Sequence, residues 1–337
     1  MTTLRGLLER ALTHIWYERS VVSLGLLPLS LIVHMVIKRR RRKALPKGVT
    51  PEGVKVIIVG GLTVGGTGKT PILIALGSWL QSRGLRVGVL SRGYRSDVGD
   101  IPTTVLETHD ARQVGDEPLL IRRSLGAPVV VCRDRRRALD ALIEQEPIDV
   151  VLSDDGLQHY SLPRDMEIIV LDADRGLGNG RLIPAGPLRE PASRLESVDW
   201  VLIRNSGDPD RAFSYTISGV REWVSGRYLA WSDCLDEWRQ QSVTAMTGLG
   251  QPRQFFDMLT KEGLSVAEVA LPDHERITVR RLERVPTDIV VVTRKDAVKL
   301  DCTTHSPIEG RLWVVEIEAV LPASLLSTLE SVFLSRA

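Results

Sequence analysis

A glycine-rich loop follows the first β-branched apolar stretch after the N-terminal region, and its residue types suit the binding of nucleotide phosphates. The segment from Gly60 to Pro71 reads GGLTVGGTGKTP. Glycines allow backbone N–H groups to turn toward phosphate oxygens, and the start of the following helix adds a favourable dipole. In such loops a lysine reaches the β- and γ-phosphates and the next hydroxyl ligates Mg²⁺, which predicts these roles for Lys69 and Thr70.

The loop departs from the strict phosphate-loop pattern at one place. The pattern G-x-x-x-x-G-K-[ST] requires a first glycine where this chain has Thr63. The strand before the loop and the helix after it still favour a nucleotide site over the alternative, a glycine-rich turn with an incidental lysine. The predicted nucleotide contacts are Thr63, Val64, Gly65, Gly66, Thr67, Gly68, Lys69 and Thr70.

Two neighbouring classes of nucleotide-binding protein are disfavoured. GTPases read guanine with an [NT]-K-x-D motif, whereas the segment from Thr293 to Asp296 carries its lysine one place late. Partition-type and metallochaperone ATPases have a lysine just before the G-G-x-G-K-T core, where this chain has Val64. The loop therefore predicts a nucleotide without deciding the reaction.

Two adjacent carboxylates end a later apolar strand, in the segment SDDGLQH from Ser153 to His159. An acid at the C-terminal end of a strand, downstream of a phosphate loop, is the Walker-B arrangement that holds Mg²⁺ directly or through water. One of Asp154 and Asp155 can serve the metal and the other a second role. The alternative is that they only cap a helix and stabilise a turn.

Three further segments carry residues that can act in phosphoryl transfer, and each also has a structural explanation. Asp116 can be a helix N-cap with Glu117 in the first turn, or the general base for an attacking hydroxyl. The proline-rich segment from Asn179 to Pro191 can be a rigid polar loop, or an arginine in it can steady the transferring phosphoryl group. Asp273 and His274 form an acidic–imidazole pair for which a structural role stays open.

The composition is that of an ordinary globular chain. It has 337 residues, 43% hydrophobic and 26% charged, which is long enough for two domains and does not indicate disorder. With 44 basic and 42 acidic residues, the net charge of +2 argues against a dedicated nucleic-acid binder. The three cysteines form no C-x-x-C pair, so a cysteine zinc cage is excluded and a reducing cytosol is indicated.

An apolar segment near the N-terminus, from Val21 to Ile37, is followed at once by the basic run KRRRRK. It falls short of the ~20 apolar residues that a spanning helix needs, so a span, an interfacial helix and a buried core helix are alternatives. The basic run favours contact with anionic lipid, and the positive-inside rule then places the rest of the chain in the cytoplasm. We assign residues 1–45 to this membrane-associated helical segment.

The elements that must position these residues alternate between strands and helices. Several strands, such as Val54 to Val59 and Ile148 to Leu152, are continuous apolar runs, which is typical of a parallel sheet covered on both faces. The alternation predicts an α/β fold, with a doubly wound parallel sheet of the P-loop NTPase type over residues 46–205. A connector at 206–238, which can form a β-ribbon, and a smaller α/β domain at 239–337 follow.

Taken together, these segments resemble one enzyme family, the tetraacyldisaccharide 4'-kinases of lipid A biosynthesis. The order and spacing of the motifs fit over essentially the whole chain, and DDGLQH and IPAGPLREP are far more specific to the family than the phosphate loop. The motifs are GGTGKTP, SRGY at 91–94, GDEP at 115–118, DDGLQH, IPAGPLREP at 183–191, GLGQP at 248–252, DH at 273–274 and RKDAVKL at 294–300.

The resemblance implies an ATP-dependent kinase that transfers the γ-phosphate to the 4'-hydroxyl of an acylated glucosamine disaccharide 1-phosphate. ATP and Mg²⁺ are the implied cofactors, and the implied fold is two α/β/α domains joined by a β-ribbon with the nucleotide between them. The expected partners are the lipid substrate and a membrane surface of anionic lipids, with neither nucleic acid nor an obligate protein partner. The expected location is the cytoplasmic face of a bacterial inner membrane.

The same resemblance suggests a role for each site residue. Asp116 matches the candidate base, and Asp155 with His274 matches a supporting acid–imidazole pair. Asp154 matches the Walker-B metal position. The other matches are Lys69 and Thr70 in the loop, Tyr94 near the nucleotide or acceptor, Arg189 as an active-site cation and Glu190 as an acid near the metal.

Three positions depart from the family pattern: Gly61, Glu275 and Arg294. They affect loop rigidity and acceptor contacts rather than the residues assigned to catalysis. Two other functions compete with the lipid kinase. A kinase for a soluble sugar or cofactor would not need residues 1–45, and a regulatory ATPase would transfer nothing. Only the resemblance, through DDGLQH and the REP segment, argues against both.

Overall fold

The computed structural model describes residues 12–18, 21–43, 52–94, 96–273, 275–300 and 308–333. Strands and helices alternate along most of these ranges. The strands are β1 Lys55–Gly60, β2 Val87–Ser91, β3 Thr103–Thr104, β4 Val129–Val131, β5 Val150–Asp154, β6 Met166–Asp172, β7 Trp200–Arg204, β8 Ala212–Glu222, β9 Tyr228–Ala230, β10 Val243–Thr247, β11 Ala267–Ala270, β12 Ile289–Thr293 and β13 Leu312–Val320.

The helices flank these strands, and a 3-10 helix spans Ala192–Glu196. Residues 12–17 are also helical. The named helices are α1 Val22–Gly25, α2 Leu27–Lys43, α3 Lys69–Ser82, α4 Ala111–Val114, α5 Asp116–Leu125, α6 Arg135–Gln145, α7 Trp231–Glu237, α8 Pro252–Lys261, α9 Val279–Glu283, α10 Arg294–Ala297 and α11 Ala323–Phe333.

The strands of the described residues join in one sheet, whose phosphate-loop half is almost entirely parallel. The order is β11-β10-β12-β13-β8-β7-β6-β1-β5-β2-β4-β3, with β9 paired to β8. Strand β1 pairs in parallel with β5 on one side and with β6 on the other. These three strands are buried along nearly their whole length, as their continuous apolar runs predicted. The predicted α/β class is confirmed.

Strand β8 carries the sheet from one half of the chain to the other. Its first residues, Ala212 and Phe213, pair in parallel with β7, whereas the rest of the strand pairs antiparallel with β13. Strand β9 returns along β8 as an antiparallel ribbon. Trp231 and Trp238, which the sequence placed among polar connector residues, are buried in the core beside β8. The sequence left residues 206–238 as a connector that can form a β-ribbon, but it did not reveal the pairing of β8 with β13, because β13 lies much later in the chain.

Apolar cores lie on both faces of the sheet, as expected for a doubly wound fold. One core packs helix α3 against β1 and β2 through side chains such as Ile72 and Leu76. Helix α11 joins this same core through Leu325 and Leu329, both completely buried. The C-terminal helix therefore packs against the core of the phosphate-loop half, although the sequence groups it with residues 239–337. The division of the chain into four segments stays a prediction.

The N-terminal helices lie on the outside of the fold. Helix α2 buries Ser30, and because successive helix residues are about 100° apart, its exposed apolar residues fall on the opposite side. This exposure contradicts the buried-core alternative for the segment. No described helix is both long enough and apolar enough to cross a membrane. The exposed stripe consists of Leu29, Leu31, Ile32, Met35 and Val36.

Replacement of Leu329 by alanine should destabilise the protein by about 2–5 kcal/mol, because the side chain is completely buried against the core around helix α3. The matched control is Val332→Ala on the same helix, where the side chain is 46% exposed and the loss should stay within ~0.5 kcal/mol. Chemical denaturation of both variants measures the difference. Equal losses would show that helix α11 does not pack as described.

Candidate active site

The phosphate loop connects strand β1, which ends at Gly60, to helix α3, which begins at Lys69. Gly68 adopts a left-handed conformation, with a φ of 82°. The Tyr215 hydroxyl donates a hydrogen bond to the Gly68 carbonyl at 3.0 Å, and a side chain at Gly68 would overlap that hydroxyl. Only glycine fits here, so a residue of β8 helps to fix the shape of the loop.

Backbone and side-chain contacts from distant segments hold the loop in place. Val64 N donates to Pro187 O at 2.9 Å, and Arg189 N donates to Leu62 O at 2.7 Å. From the second half of the chain, the Gln251 side chain donates to the loop carbonyl of residue 66 at 2.8 Å. Residues 64–70 line a cleft of about 1690 Å³, and the predicted contact at position 63 lies buried beneath them.

Asp155 lies among cationic groups at the floor of this cleft. Its carboxylate accepts a hydrogen bond from Arg189 Nη1 at 2.6 Å and lies 3.7 Å from Lys69 Nζ. Burial acts to raise the pKa of Asp155, but Lys69 and Arg189 outweigh burial and lower the pKa to about 2. Asp155 is therefore ionised at neutral pH, and it holds both cations where a transferring phosphoryl group needs positive charge.

Asp154 has the opposite character, although it is the adjacent residue. It is 3% exposed; one carboxylate oxygen accepts a hydrogen bond from Ser91 Oγ at 3.0 Å, and the other has no hydrogen-bond partner among the described residues. Burial raises the pKa of Asp154 to about 7, and the charges of Glu117 and Asp155 add to this effect. This carboxylate oxygen and the Thr70 hydroxyl line the same cleft, and both are oxygen donors of the kind that suits Mg²⁺.

Asp116 begins helix α5 and does not cap it, because the N-cap residue is Gly115. The N-cap explanation of Asp116 is therefore wrong. Asp116 is 8% exposed, and its carboxylate lies 4.0 Å from Lys295 Nζ, which also pairs with Glu117 at 2.7 Å. Because Lys295 lies in the second half of the chain, the candidate base is contacted from both halves.

Glu190 is completely buried. Its Oε1 accepts a hydrogen bond from Gln158 at 2.9 Å, whereas its Oε2 lies 3.3 Å from the Arg194 guanidinium and has no hydrogen-bond partner among the described residues. These contacts join the DDGLQH turn to the REP segment and favour a structural role, so the assignment of Glu190 to the metal stays a prediction. Tyr94 is 54% exposed at the rim of the cleft, as expected for a contact to nucleotide or acceptor.

His274 lies outside the described residues, so its predicted pairing with Asp155 stays a prediction; the preceding residue, Asp273, lines the cleft. Arg294, which departs from the family pattern, forms an ion pair with the buried carboxylate of Glu316. The positive charge that Arg294 introduces is therefore balanced by an acidic side chain of the same fold.

Asp296 ends the near-match to a guanine-reading motif, and it is completely buried. Its carboxylate accepts hydrogen bonds from Thr247 Oγ1 and Gly248 N and pairs with Lys299 at 3.0 Å. These contacts fix the turn after β10 and occupy the carboxylate. Asp296 is thus unavailable to read a guanine base.

Four residues near the loop or the candidate base received no role from the sequence: Arg175, Tyr215, Gln251 and Lys295. Gln251 and Lys295 lie within the motifs GLGQP and RKDAVKL, which is the signal that could have found them. Arg175 follows the end of β6, and only the pairing of β6 with β1 shows that it lies beside the loop. Tyr215 carries no local signal, because only the placement of β8 brings it to the loop.

Comparison with known proteins decides the family. The profile of the family described as LpxK, tetraacyldisaccharide-1-P 4'-kinase, matches residues 22–334. This chain belongs to that family. The resemblance inferred from the motifs and the kinase function expected from it are confirmed.

Individual relatives agree with the family profile over nearly the whole chain. The tetraacyldisaccharide 4'-kinase of Alcanivorax borkumensis is 44% identical over 315 residues, covering 92% of this chain and 93% of that protein. The one from Stutzerimonas stutzeri is 44% identical over 299 residues, covering 87% of each. The crystal structure of LpxK from Aquifex aeolicus in complex with ATP has a TM-score of 0.73 and 27% identity, and covers 93% of this chain and 100% of that chain.

As the pH rises from 5 to 8, the Asp154→Asn variant should lose less stability than the wild type. The pKa of Asp154 is about 7, above its ordinary value of 3.8, so the folded protein holds a proton that the unfolded chain has already released. Stability must then fall as the pH rises through this window. We expect the wild type to lose at least about 1.4 kcal/mol more than the variant, the equivalent of one pKa unit.

Chemical denaturation without nucleotide or metal ions measures the stability of the wild type and of Asp154→Asn as a function of pH. Asp155→Asn is the matched control, because Asp155 has a lowered pKa of about 2 and adds stability at all pH values above 3.8, which is lost only as the pH falls toward 2. The control should therefore be less stable than the wild type at pH 8. Parallel profiles for the wild type and Asp154→Asn would rule out the buried protonated carboxyl.

Proposed function

We propose that this chain transfers the γ-phosphate of ATP to the 4'-hydroxyl of a tetraacylated glucosamine disaccharide 1-phosphate, a lipid A precursor. The observation that carries the proposal is the convergence of Lys69 and Arg189 on Asp155 beside the phosphate loop. The N-terminal helices border the same cleft through Ile32 and Val36. The family supplies the identity of the acceptor, and the cleft supplies positive charge at the phosphoryl site with an apolar approach for acyl chains.

The chemistry needs positioning and neutralisation of charge more than covalent catalysis. Lys69 begins helix α3 and extends toward the site of the β- and γ-phosphates. Arg189 steadies the transferring phosphoryl group while it keeps its contact with Asp155. The 4'-hydroxyl oxygen bonds to the γ-phosphorus, the bond from this phosphorus to the bridging oxygen breaks, and ADP leaves.

Asp116 is the proposed general base that accepts the hydroxyl proton. Asp155 is less suited to this role, because a carboxylate with a pKa of about 2 has little affinity for a proton. Asp155 instead positions the two cations. Lys295 lies 4.0 Å from Asp116 and so brings a positive charge from the second half of the chain to the base.

Mg²⁺ is the proposed metal, held by the Thr70 hydroxyl and by Asp154. The described residues contain no cluster of three or more His, Cys, Asp or Glu side chains that could hold a metal ion alone. This agrees with a Mg²⁺ that takes its other ligands from phosphate oxygens and water, as is usual for this ion. When bound, the ion neutralises charge on the phosphates, and it favours the ionised form of Asp154.

The proposed location is the cytoplasmic face of a bacterial inner membrane, with helix α2 in contact with anionic lipid. Within its exposed apolar stripe, Leu31 and Met35 lie away from Ser30, which is attached to the fold, and do not line the cleft that Ile32 and Val36 border. The basic run at its C-terminal end supplies the electrostatic attraction. Such a helix lies in the plane of the interface with its apolar face in the lipid.

A basic cavity of about 510 Å³ lies between the end of helix α2 and the DDGLQH turn. Arg39, Arg40 and Lys43 border it on one side, and His159 and Tyr160 border it on the other. His159 and Tyr160 also line the nucleotide cleft, so the cavity lies next to the site of transfer. We assign it to the 1-phosphate of the acceptor, which favours a phosphorylated lipid over a neutral soluble sugar.

A transfer assay with γ-labelled ATP, Mg²⁺ and the acylated disaccharide 1-phosphate in detergent micelles tests the function. Label should appear on the lipid, and Lys69→Ala should abolish it. Asp116→Asn should lower turnover by ~10²–10⁴-fold, the usual effect of removing a general base, with a small change in the Michaelis constant for ATP. Asp140→Asn, at an exposed position of helix α6, is the matched control and should behave as the wild type.

Each outcome of this assay separates the candidate functions. ATP hydrolysis without labelled lipid would favour a regulatory ATPase or a kinase for a soluble acceptor. Near-normal turnover in Asp116→Asn would overturn its assignment as the base.

Vesicle binding tests the membrane contact. The double variant Leu31→Glu, Met35→Glu should bind vesicles that contain anionic lipid at least ~10-fold more weakly, because two exposed apolar side chains would be lost from the lipid-facing stripe. The matched control is Ile101→Glu, an exposed apolar position outside the N-terminal helices. Equal binding by the double variant and the wild type would contradict the proposed contact.

A further inference from the structure

The phosphate-loop strand β1 has a neighbour on each side, and both neighbours end at the same edge of the sheet. Strand β5 ends at Asp154, and Asp155 follows it directly. Strand β6 ends at Asp172, and the turn after it carries Arg175. Since the strands are parallel, Arg175 comes to the loop from the side opposite the acids.

Arg175 lies against the loop itself. Its Nη1 is 3.5 Å from the position that a side-chain carbon on Gly65 would occupy, and it lines the same cleft as Lys69 and Arg189. Gly65 has a φ of 107°, so the loop turns sharply where the guanidinium approaches it. A cation at this point faces the space that the loop encloses for phosphate groups.

The charge of Arg175 is not used within the described part of the fold. The two nearest acids in sequence, Asp172 and Asp174, both pair with Arg204, at 2.7 and 3.6 Å. Arg175 has no ion pair among the described residues. Its guanidinium instead stacks 4.3 Å from the ring centroid of Tyr17, an arrangement that holds a cation without neutralising it.

Tyr17 is itself fixed by the docking of the N-terminal segment. The adjacent Trp16 donates from Nε1 to Pro184 O at 2.9 Å, and its carbonyl accepts from Asn179 N at 2.8 Å. A side-chain hydrogen bond joins Tyr17 to Thr63 at the base of the loop. Residues 12–18 are thus part of the wall of the nucleotide cleft.

We propose that Arg175 binds the γ-phosphate of the nucleotide, and that the ring of Tyr17 positions it for this contact. The inference rests on the proposed function, because it assumes that a nucleoside triphosphate occupies the loop. The loop contributes one cation of its own, Lys69, and has Val64 where related ATPases have a lysine. Arg175 lies outside the loop in sequence, and the fold places it beside the loop as a second cation. The N-terminal segment therefore acts on nucleotide binding in addition to any contact with lipid.

Binding of ATP and of ADP to the full chain in detergent micelles tests this proposal by calorimetry, without any acceptor. Arg175→Ala should weaken ATP binding at least ~10-fold, the effect of one lost charge-assisted contact, and should change ADP binding much less. Arg175→Lys should recover part of the loss. Arg137→Ala, at an exposed arginine on helix α6, is the matched control and should bind both nucleotides as the wild type does.

Variants of Tyr17 test its positioning role. Tyr17→Phe keeps the ring and should discriminate between ATP and ADP as the wild type does. Tyr17→Leu removes the ring and should bind ATP ~3–10-fold more weakly, so that part of the discrimination is lost. Thermal unfolding of each variant shows whether it is folded. Equal weakening of ATP and ADP by Arg175→Ala, or none, would overturn the γ-phosphate contact, and wild-type binding by Tyr17→Leu would overturn the role of Tyr17. Failure of the wild type to bind ATP would instead refute the proposed function.

Discussion

The backbone pairing between the phosphate loop and the 182–189 segment is the contact on which the rest of the site depends. Val64 and Leu62 exchange hydrogen bonds with Pro187 and Arg189, so the loop and the arginine that faces it are built as one unit. The same segment receives the N-terminal helices, because Ser30 Oγ donates to Leu182 O at 2.8 Å. A single short stretch of chain therefore connects the phosphate loop, the arginine that faces it and the N-terminal helices.

The two adjacent acids show how this framework divides one motif into two functions. Asp155 points at Lys69 and Arg189 and stays ionised, whereas Asp154 is buried beside Ser91 with a pKa of about 7. The difference arises from the neighbours of each carboxylate and not from its position in the sequence. One acid is suited to organise cations, and the other is suited to receive a metal ion when the nucleotide arrives.

The second half of the chain contributes to the site through single side chains. Tyr215 and Gln251 contact carbonyls of the phosphate loop, and Lys295 reaches Glu117 and Asp116. Each of these contacts requires that β8 carry the sheet across from one half to the other. The loop, the candidate base and the second half of the fold are therefore linked, and movement of one half relative to the other would alter the site.

The sequence by itself determined the family, the α/β class, and the strand–loop–helix unit at Lys69, because these depend on local patterns and on motifs with fixed spacing. It also brought Asp116, Asp154 and Asp155 forward as candidates, although it left Asp116 open as an N-cap, which Gly115 in fact provides. Only the tertiary structure decided the course of β8, the packing of helix α11 on the phosphate-loop half, and the partners of Arg175 and Lys295. The physical reason is that these contacts join residues distant in the chain, so no local period or motif encodes them.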